Sequence, residues 1–257
     1  MPVSIFDTLP LMVKSRLNSS FTAARYGIFD PQFMVRQEDD FTNVGAIETG
    51  EIGTQGWLAT ASGTGAAASS GGTVAGRVGL VTVATGTTAT GRTALEQSTA
   101  VFNPPGTEDV LVCSFSINVP TLSTVAEEFV VYAGFGDAAA AEVADGAYVS
   151  YDRLTDGDFW AVKTAQGSTR SKTVTAMPAV AGRYLRGIIV WTGGTGATFY
   201  LYDGVNSEIV TTITTNLPSG SQQYGPFFQI RKSAGTTSRT AIIDYYNWYL
   251  FFASARY

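Results

Sequence analysis

Gly63, Gly65 and Ala68, in the stretch ASGTGAAASSGG, have the G-x-G-x-x-A spacing of a dinucleotide-binding fingerprint. That chemistry needs a buried strand before the glycines and a helix after them, so that phosphate meets a helix N-terminus. GWLATAS supplies the strand. In the place of the helix, however, the chain carries Gly71, Gly72, Gly76 and Gly79. Each glycine costs about 1 kcal/mol in a helix relative to alanine, so the helix fails and nucleotide binding fails with it. The stretch is expected to be a turn-rich link, with Ser69 to Gly72 in a surface loop and GRVGLVTVATG resuming as a strand.

Acids and aromatics are the other candidates for chemistry. Asp137, Asp145, Asp152, Asp156, Asp158, Asp203 and Asp244 fall mostly at strand ends and turns, where aspartate caps backbone and tolerates left-handed geometry. DGD at 156–158 brings two carboxylates, fewer than a calcium loop requires, and no acid pair with the marks of a glycosidase stands out. No metal ligand set, cofactor or catalytic residue is therefore assigned. The four tryptophans Trp57, Trp160, Trp191 and Trp248 and the many tyrosines could build a sugar-stacking platform or fill a sandwich core, the core being the reading adopted for Trp191 and Trp248. Tyr200 and Tyr202 share one strand face, as do Tyr245 and Tyr249, so at least one aromatic stripe is expected to be exposed.

The chain has no histidine, which removes Ser-His-Asp and Cys-His catalysis, histidine metal sites and the usual general base near neutral pH. Its single cysteine, Cys113 in VLVCSFSINV, excludes an internal disulfide and reads as a buried strand thiol. Stability without disulfides suits a reducing cytoplasm. Net charge is −5, so phosphate backbones are unlikely partners and nucleic acid is not expected. No apolar run is long enough to span a bilayer, and Met1 to Leu11 lacks a basic residue ahead of its apolar stretch, so neither membrane insertion nor a secretory signal is expected.

The elements that must position these residues read as strands. Of 257 residues only 14% are charged and 28 are glycine, the composition of a sheet protein with many tight turns. EFVVYAGFGD alternates. AYVSYDRL and DFWAVKTA flank an expected two-residue hairpin at Asp156-Gly157, and AVKTAQG and STRSKTVTAM an expected turn at Gln166-Gly167. YLRGIIVW, ATFYLYDG and EIVTTITTNL follow, then two long strands around Ala234-Gly235-Thr236-Thr237. Short strands at intervals near ten residues, with no convincing helix between them, predict an all-β antiparallel β-sandwich over 39–257. Residues 1–38 read differently, as an N-terminal anchoring arm with a short helix, too short to close a core of its own. It has to bury Leu11, Met12, Val13, Leu17, Phe21 and Phe33 against the main domain or a neighbouring subunit.

DDFTNVGAIETGEIGTQGW, GRVGLVTVATGTTATGRTAL, VVYAGFGD, GAYVSYDRLTDGDFWAVKTAQGSTRSKT, RYLRGIIVWTGGTGATFYLYDG, IVTTITTNLP and GPFFQIRKSAGTTSRTAIIDYYNWYL occur in that order. Together they resemble a concanavalin A-like (jelly-roll, LamG-type) module of tailed-bacteriophage structural proteins over about residues 39 to 252. The resemblance implies two packed antiparallel sheets and a non-enzymatic virion role as a capsid decoration, head fibre or tail fibre, often trimeric. Its partners would be other virion proteins and further copies of itself, on the virion surface after assembly in the host cytoplasm. The arm would dock on the particle while the sandwich faces outward. The same fold also serves lectins and laminarinase-type hydrolases, but the hydrolase pattern E-x-D-x-x-E is missing here. The alternative is a tail-fibre-type receptor-binding module for host-surface glycan, with Tyr148, Tyr151, Asp152, Trp160 and Tyr202 as candidate contacts.

Overall fold

The computed structural model describes residues 34–41, 51–53, 55–74, 76–97, 105–106, 108–137, 141–218 and 223–254. Leu11, Met12, Val13, Leu17, Phe21 and Phe33 of the expected arm lie outside them. The described residues form two eight-stranded sheets in which every strand pair is antiparallel. In spatial order the front sheet contains Ile209–Ile213 (β14), Gly196–Tyr202 (β13), Tyr184–Thr192 (β12), Val110–Asn118 (β7), Thr240–Phe251 (β16), Arg77–Ala84 (β5) and Ala67–Val74 (β4). Its eighth strand, Met34–Asp39 (β1), pairs with the second half of β16, on the side where β5 pairs with the first half. The back sheet contains Thr169–Pro178 (β11), Phe159–Gln166 (β10), Gly146–Asp152 (β9), Phe129–Gly136 (β8), Gly225–Lys232 (β15), Arg92–Glu96 (β6), Trp57–Ser62 (β3) and Glu51–Ile52 (β2).

The sandwich is as expected, but several local features are not. Residues 34–38 belong to a central ladder, Met34 opposite Phe251 through Asp39 opposite Tyr246, so the boundary after residue 38 cuts a strand of the sandwich. Ser69 to Gly72 are not a loop. They lie in β4, where Ser69, Ser70 and Gly72 pair with Thr82, Val81 and Leu80 of β5 and the register shifts twice, between Ser70 and Gly72 and between Gly72 and Val74. Asp156-Gly157 is not a two-residue hairpin either. Asp152 caps a single helical turn, Arg153–Asp156 (α1), by accepting from the Thr155 amide, and Gly157 at φ 67° ends it. The β10–β11 turn falls one residue later than expected, on Gly167 and Ser168, both with positive φ as a type I′ turn demands. The strands on either side of Ala234–Thr237 lie in different sheets, so that turn carries the chain across the sandwich.

Inward-facing residues of both sheets fill the core, with Trp57, Phe115, Trp191, Phe199 and Tyr246 among its largest members. Tyr246 stacks on Phe115 at 5.7 Å between centroids and takes Trp57 edge-on at 5.1 Å. Its hydroxyl donates to the Gly134 carbonyl at 2.7 Å, a polar tie from front sheet to back sheet. Cys113 is fully buried beside it, as expected, and burial pushes its thiol up to about 12 against the opposing hydrogen bonds of Tyr246 and Ile189. A thiol so protonated is a packing group, not a nucleophile.

Candidate functional site

The outer face of the front sheet is built by strand register. Directly opposed residues of an antiparallel pair share a face, so the pairings define rows across the sheet. One row runs Tyr202, Arg186, Ser116, Tyr245 and the next Tyr200, Ile188, Ser114, Asn247. Beyond them lie Tyr184 with Asn118 on one side and Val190, Val112 and Tyr249 on the other. Strands about 4.8 Å apart set Tyr202 and Tyr245 about 14 Å from each other.

The face is recessed along its middle strand. Ser114, Ser116 and Asn118 of β7 point outward, yet each is only 4% exposed, and Arg77 from β5 reaches Ser116. Tyr184, Tyr200, Tyr245 and Tyr249 are half-buried, and Tyr202 is exposed. The result is a polar floor between two tyrosine-bearing walls. Toward Val112, Ile188 and Val190 the floor turns apolar, with Tyr249 and Phe251 stacked at 6.3 Å. At the other end Arg77 closes the row. It ion-pairs with Asp244, donates to Ser116 Oγ at 3.1 Å, and stacks over the Tyr184 ring at 3.6 Å. Burial raises the Asp244 carboxyl despite that arginine. Two buried polar atoms on this face have no hydrogen-bond partner, Arg186 Nε and Asn247 Oδ1.

The shared faces of Tyr200 with Tyr202 and Tyr245 with Tyr249 were readable from alternation, and the structure joins both pairs on one surface. The floor was missed. Its signal was present, since Ser114 and Ser116 are in phase with each other and out of phase with Cys113 and Phe115, but it reads only as the solvent side of a strand.

Of the candidate glycan contacts, Tyr202 alone is on this face. Tyr148, Tyr151 and Trp160 are buried and offer no ring to a ligand, which corrects their assignment. Tyr151 and Trp160 point into the core, 5.7 Å apart, and the Tyr151 hydroxyl accepts from the Ser123 amide. Tyr148 faces outward from the back sheet but is sealed beneath Glu142, which accepts from the Tyr148 hydroxyl and from Lys163, both at 3.0 Å, and pairs with Arg170 at 3.3 Å. Burial raises the Tyr148 phenol, and two cations hold the Glu142 carboxyl low against its own desolvation. Asp152 serves as the α1 cap.

The other turn acids mostly serve their own backbone. Asp137 accepts from the Ala144 and Asp145 amides and Asp145 from Gly167. Asp203 accepts from the Val205 and Asn206 amides, from Asn206 Nδ2 and from Arg183. Burial alone would raise its pKa, but these donors hold it at about 2. A depressed carboxyl contributes stability that is complete above its unfolded pKa near 3.9 and is lost as pH falls toward 2. Asp203→Asn is therefore expected to lower stability by about 2 kcal/mol at pH 6. The difference from the unsubstituted chain should shrink between about pH 4 and pH 2, as read from urea midpoints along a pH series. A difference that stays constant over that range would refute the assignment.

Among the described residues, no group of three or more His, Cys, Asp or Glu side chains is placed to hold a metal ion, and no helix is long and apolar enough to cross a membrane. Residues 76–244 match the family described as SO2946-like, C-terminal domain. No curated protein matches the sequence. Among solved structures, the protein of unknown function SO2946 from Shewanella oneidensis MR-1 superimposes with TM-score 0.66 at 12% identity, over 97% of this chain and 98% of that one. Peanut lectin matches with TM-score 0.55 at 9% identity, over 84% of this chain and 97% of its own. The CBM2 module of the evolved Dit of Lactobacillus casei BL23 phage J-1 matches with TM-score 0.53 at 14% identity, over 87% and 98%. At these identities the likeness is one of fold, a concanavalin A-like, lectin-type sandwich.

Proposed function

The chain belongs to the SO2946-like, C-terminal domain family, and we propose that it is a non-enzymatic bacteriophage virion protein that uses the outer face of its front sheet to recognise saccharide on a surface. The polar floor between tyrosine walls carries this reading. Sugar rings present one apolar face and a rim of hydroxyls, and such a face offers both aromatic contact and hydrogen-bonding groups. The phage origin of one fold neighbour and the lectin identity of another support the setting. A non-catalytic role agrees with acids that are committed to turns and ion pairs rather than facing each other across the floor.

The purified chain should bind host cells and a glycan array saturably, without hydrolysing what it binds. A double Tyr202→Ala, Tyr245→Ala variant should lose about tenfold in affinity or more, the equivalent of about 1.4 kcal/mol, while keeping its thermal midpoint. Absence of saturable binding, or an unaffected variant, defeats the reading. For the anchoring segment the informative truncation removes residues 1–33 and leaves β1 intact. It should stay folded and no longer co-sediment with particles, whereas loss of folding would count against an anchoring role.

A capsid-decoration role is a second reading, favoured by a separate observation. At one end of the sandwich Val125, Leu154 and Val205 are 74%, 69% and 72% exposed, Val125 and Val205 on loops and Leu154 in α1. Ser123 to Tyr151, Gly182 to Val119 and Arg183 to Asp203 hydrogen bonds clasp those loops together. Rigid aliphatic tips of this kind suit docking on another protein. Quantitative mass spectrometry of purified particles separates the roles, since decoration requires hundreds of copies and a tail receptor-binding protein a handful.

A further inference from the structure

We infer that the saccharide recognised on the front sheet carries a carboxylate, and that Arg186 is the residue that selects it; this rests on the saccharide reading above. Three arginines lie on or beside this face. Arg77 is committed to Asp244, Ser116 and the Tyr184 ring, and Arg36 lies 3.9 Å from Glu38. Arg186 forms no ion pair with any described residue, although its Nε is buried and without a hydrogen-bond acceptor. A guanidinium N–H taken out of water and left unmatched is costly, and a charged group is costlier than a neutral one.

Its neighbours across the ladder do not relieve it. Ser116, directly opposite on β7, already accepts from Arg77, and Tyr202 flanks the other side. The Nε–H and one terminal N–H of a guanidinium form a planar fork that matches the two oxygens of a carboxylate. A hydroxyl can satisfy one arm only.

Asn247 Oδ1 narrows the ligand further. It is a buried acceptor without a donor, one row away and two strands over. Strand spacing sets the two residues about 10 Å apart across the sheet. A ligand satisfying both atoms offers an anionic acceptor at one end and an O–H or N–H donor at the other. Acidic sugars have both, a carboxylate and ring hydroxyls or an amide, with an apolar ring face for the tyrosines. A neutral sugar leaves the guanidinium unmatched.

The test measures binding of the full chain to polygalacturonate, to dextran and to dextran sulfate, by calorimetry at fixed ionic strength. Polygalacturonate is expected to bind at least tenfold more tightly than either of the others. Arg186→Gln should abolish that preference and Arg186→Lys should restore only part of it, because an ammonium keeps the charge without the fork. Equal binding of polygalacturonate and dextran overturns the carboxylate assignment and leaves the saccharide reading standing. So does an Arg186→Gln variant that is folded and unchanged in preference. Dextran sulfate binding as tightly as polygalacturonate shows attraction of general anions and also overturns it. Binding of no polymer overturns the inference, while the host-cell and glycan-array measurement decides the broader reading separately.

Discussion

Trp57→Ala is expected to lower the free energy of unfolding by about 3–5 kcal/mol, the range for deleting a large aromatic side chain from a well-packed core. Trp57 is fully buried at the start of β3, tilted against Phe41 at 5.6 Å and edge-on to Tyr246. Opposite it in the ladder stands Ile52, also fully buried. Its removal takes the packing partner from Phe41, just beyond β1, and from the tyrosine that ties the sheets together. The loss should therefore be uneven. Amide exchange is expected to rise first in β1, β2 and β3 and only later in β7 and β12. Trp57→Phe keeps an aromatic ring while giving up part of the indole's volume and its unpartnered N–H, and should recover more than half of the loss. Urea titration of both variants checks this, and a cost below about 1 kcal/mol for alanine would show that the site collapses without penalty.

Gly134→Ala is the second large effect, and it acts on backbone. Gly134 has φ +151°, and a Cβ there would lie 2.4 Å from the Ala147 carbonyl oxygen and 2.7 Å from Tyr148 Cα. Both belong to the neighbouring strand, so no rotamer change relieves the clash, and β8 and β9 have to part. Strain and overpacking together should cost about 3 kcal/mol or more. The Tyr246 hydroxyl bonded to the Gly134 carbonyl would be displaced as well. For a chain of this size the expected drop in thermal midpoint is about 6–12 °C. Gly194→Ala is the control. It has φ +70° but open space around it, so it should cost only the left-handed penalty of about 1–2 kcal/mol. Equal losses in the two variants would mean that close approach of β9 is not what requires glycine at 134.

Alternation is a local property and survives in the sequence, which is why strands such as VLVCSFSINV and YLRGIIVW could be located and why Tyr200 and Tyr202 could be put on one face. Which face looks outward depends on partners far away along the chain. Tyr148 and Tyr151 sit three residues apart on opposite faces of β9, and both are buried, one by the opposing sheet and the other by Glu142 and Arg170. Nothing within AYVSYD distinguishes those fates from exposure. The recessed floor has the same origin, because Ser114 and Ser116 become its base only when β12 and β16 close on either side. Turn chemistry was ambiguous for a different reason. Asp156-Gly157 fits both a tight hairpin and the end of a helical turn, and Asp152, four residues upstream, decides between them by capping. At residues 34–38 the arm was extended too far because MVRQE shows little hydrophobic alternation. It is a strand through its ladder with β16 and through the Gln37 and Asp39 side chains, which engage Gln55.

The edge strand β4 bears on how many copies of this protein can stand together. A strand at a sheet margin is a template for another chain. Along Ala67–Val74 that template is broken in two places by shifts in register, and Gly72 at φ +70° turns the backbone out of the plane a neighbouring strand would need. An incoming strand could satisfy a few hydrogen bonds before losing step. The small side chains of Ala67 and Ser69 and the bare backbone of Gly71 give it little to grip. The run of small residues that resembles a phosphate loop in sequence is thus an edge poorly suited to strand addition.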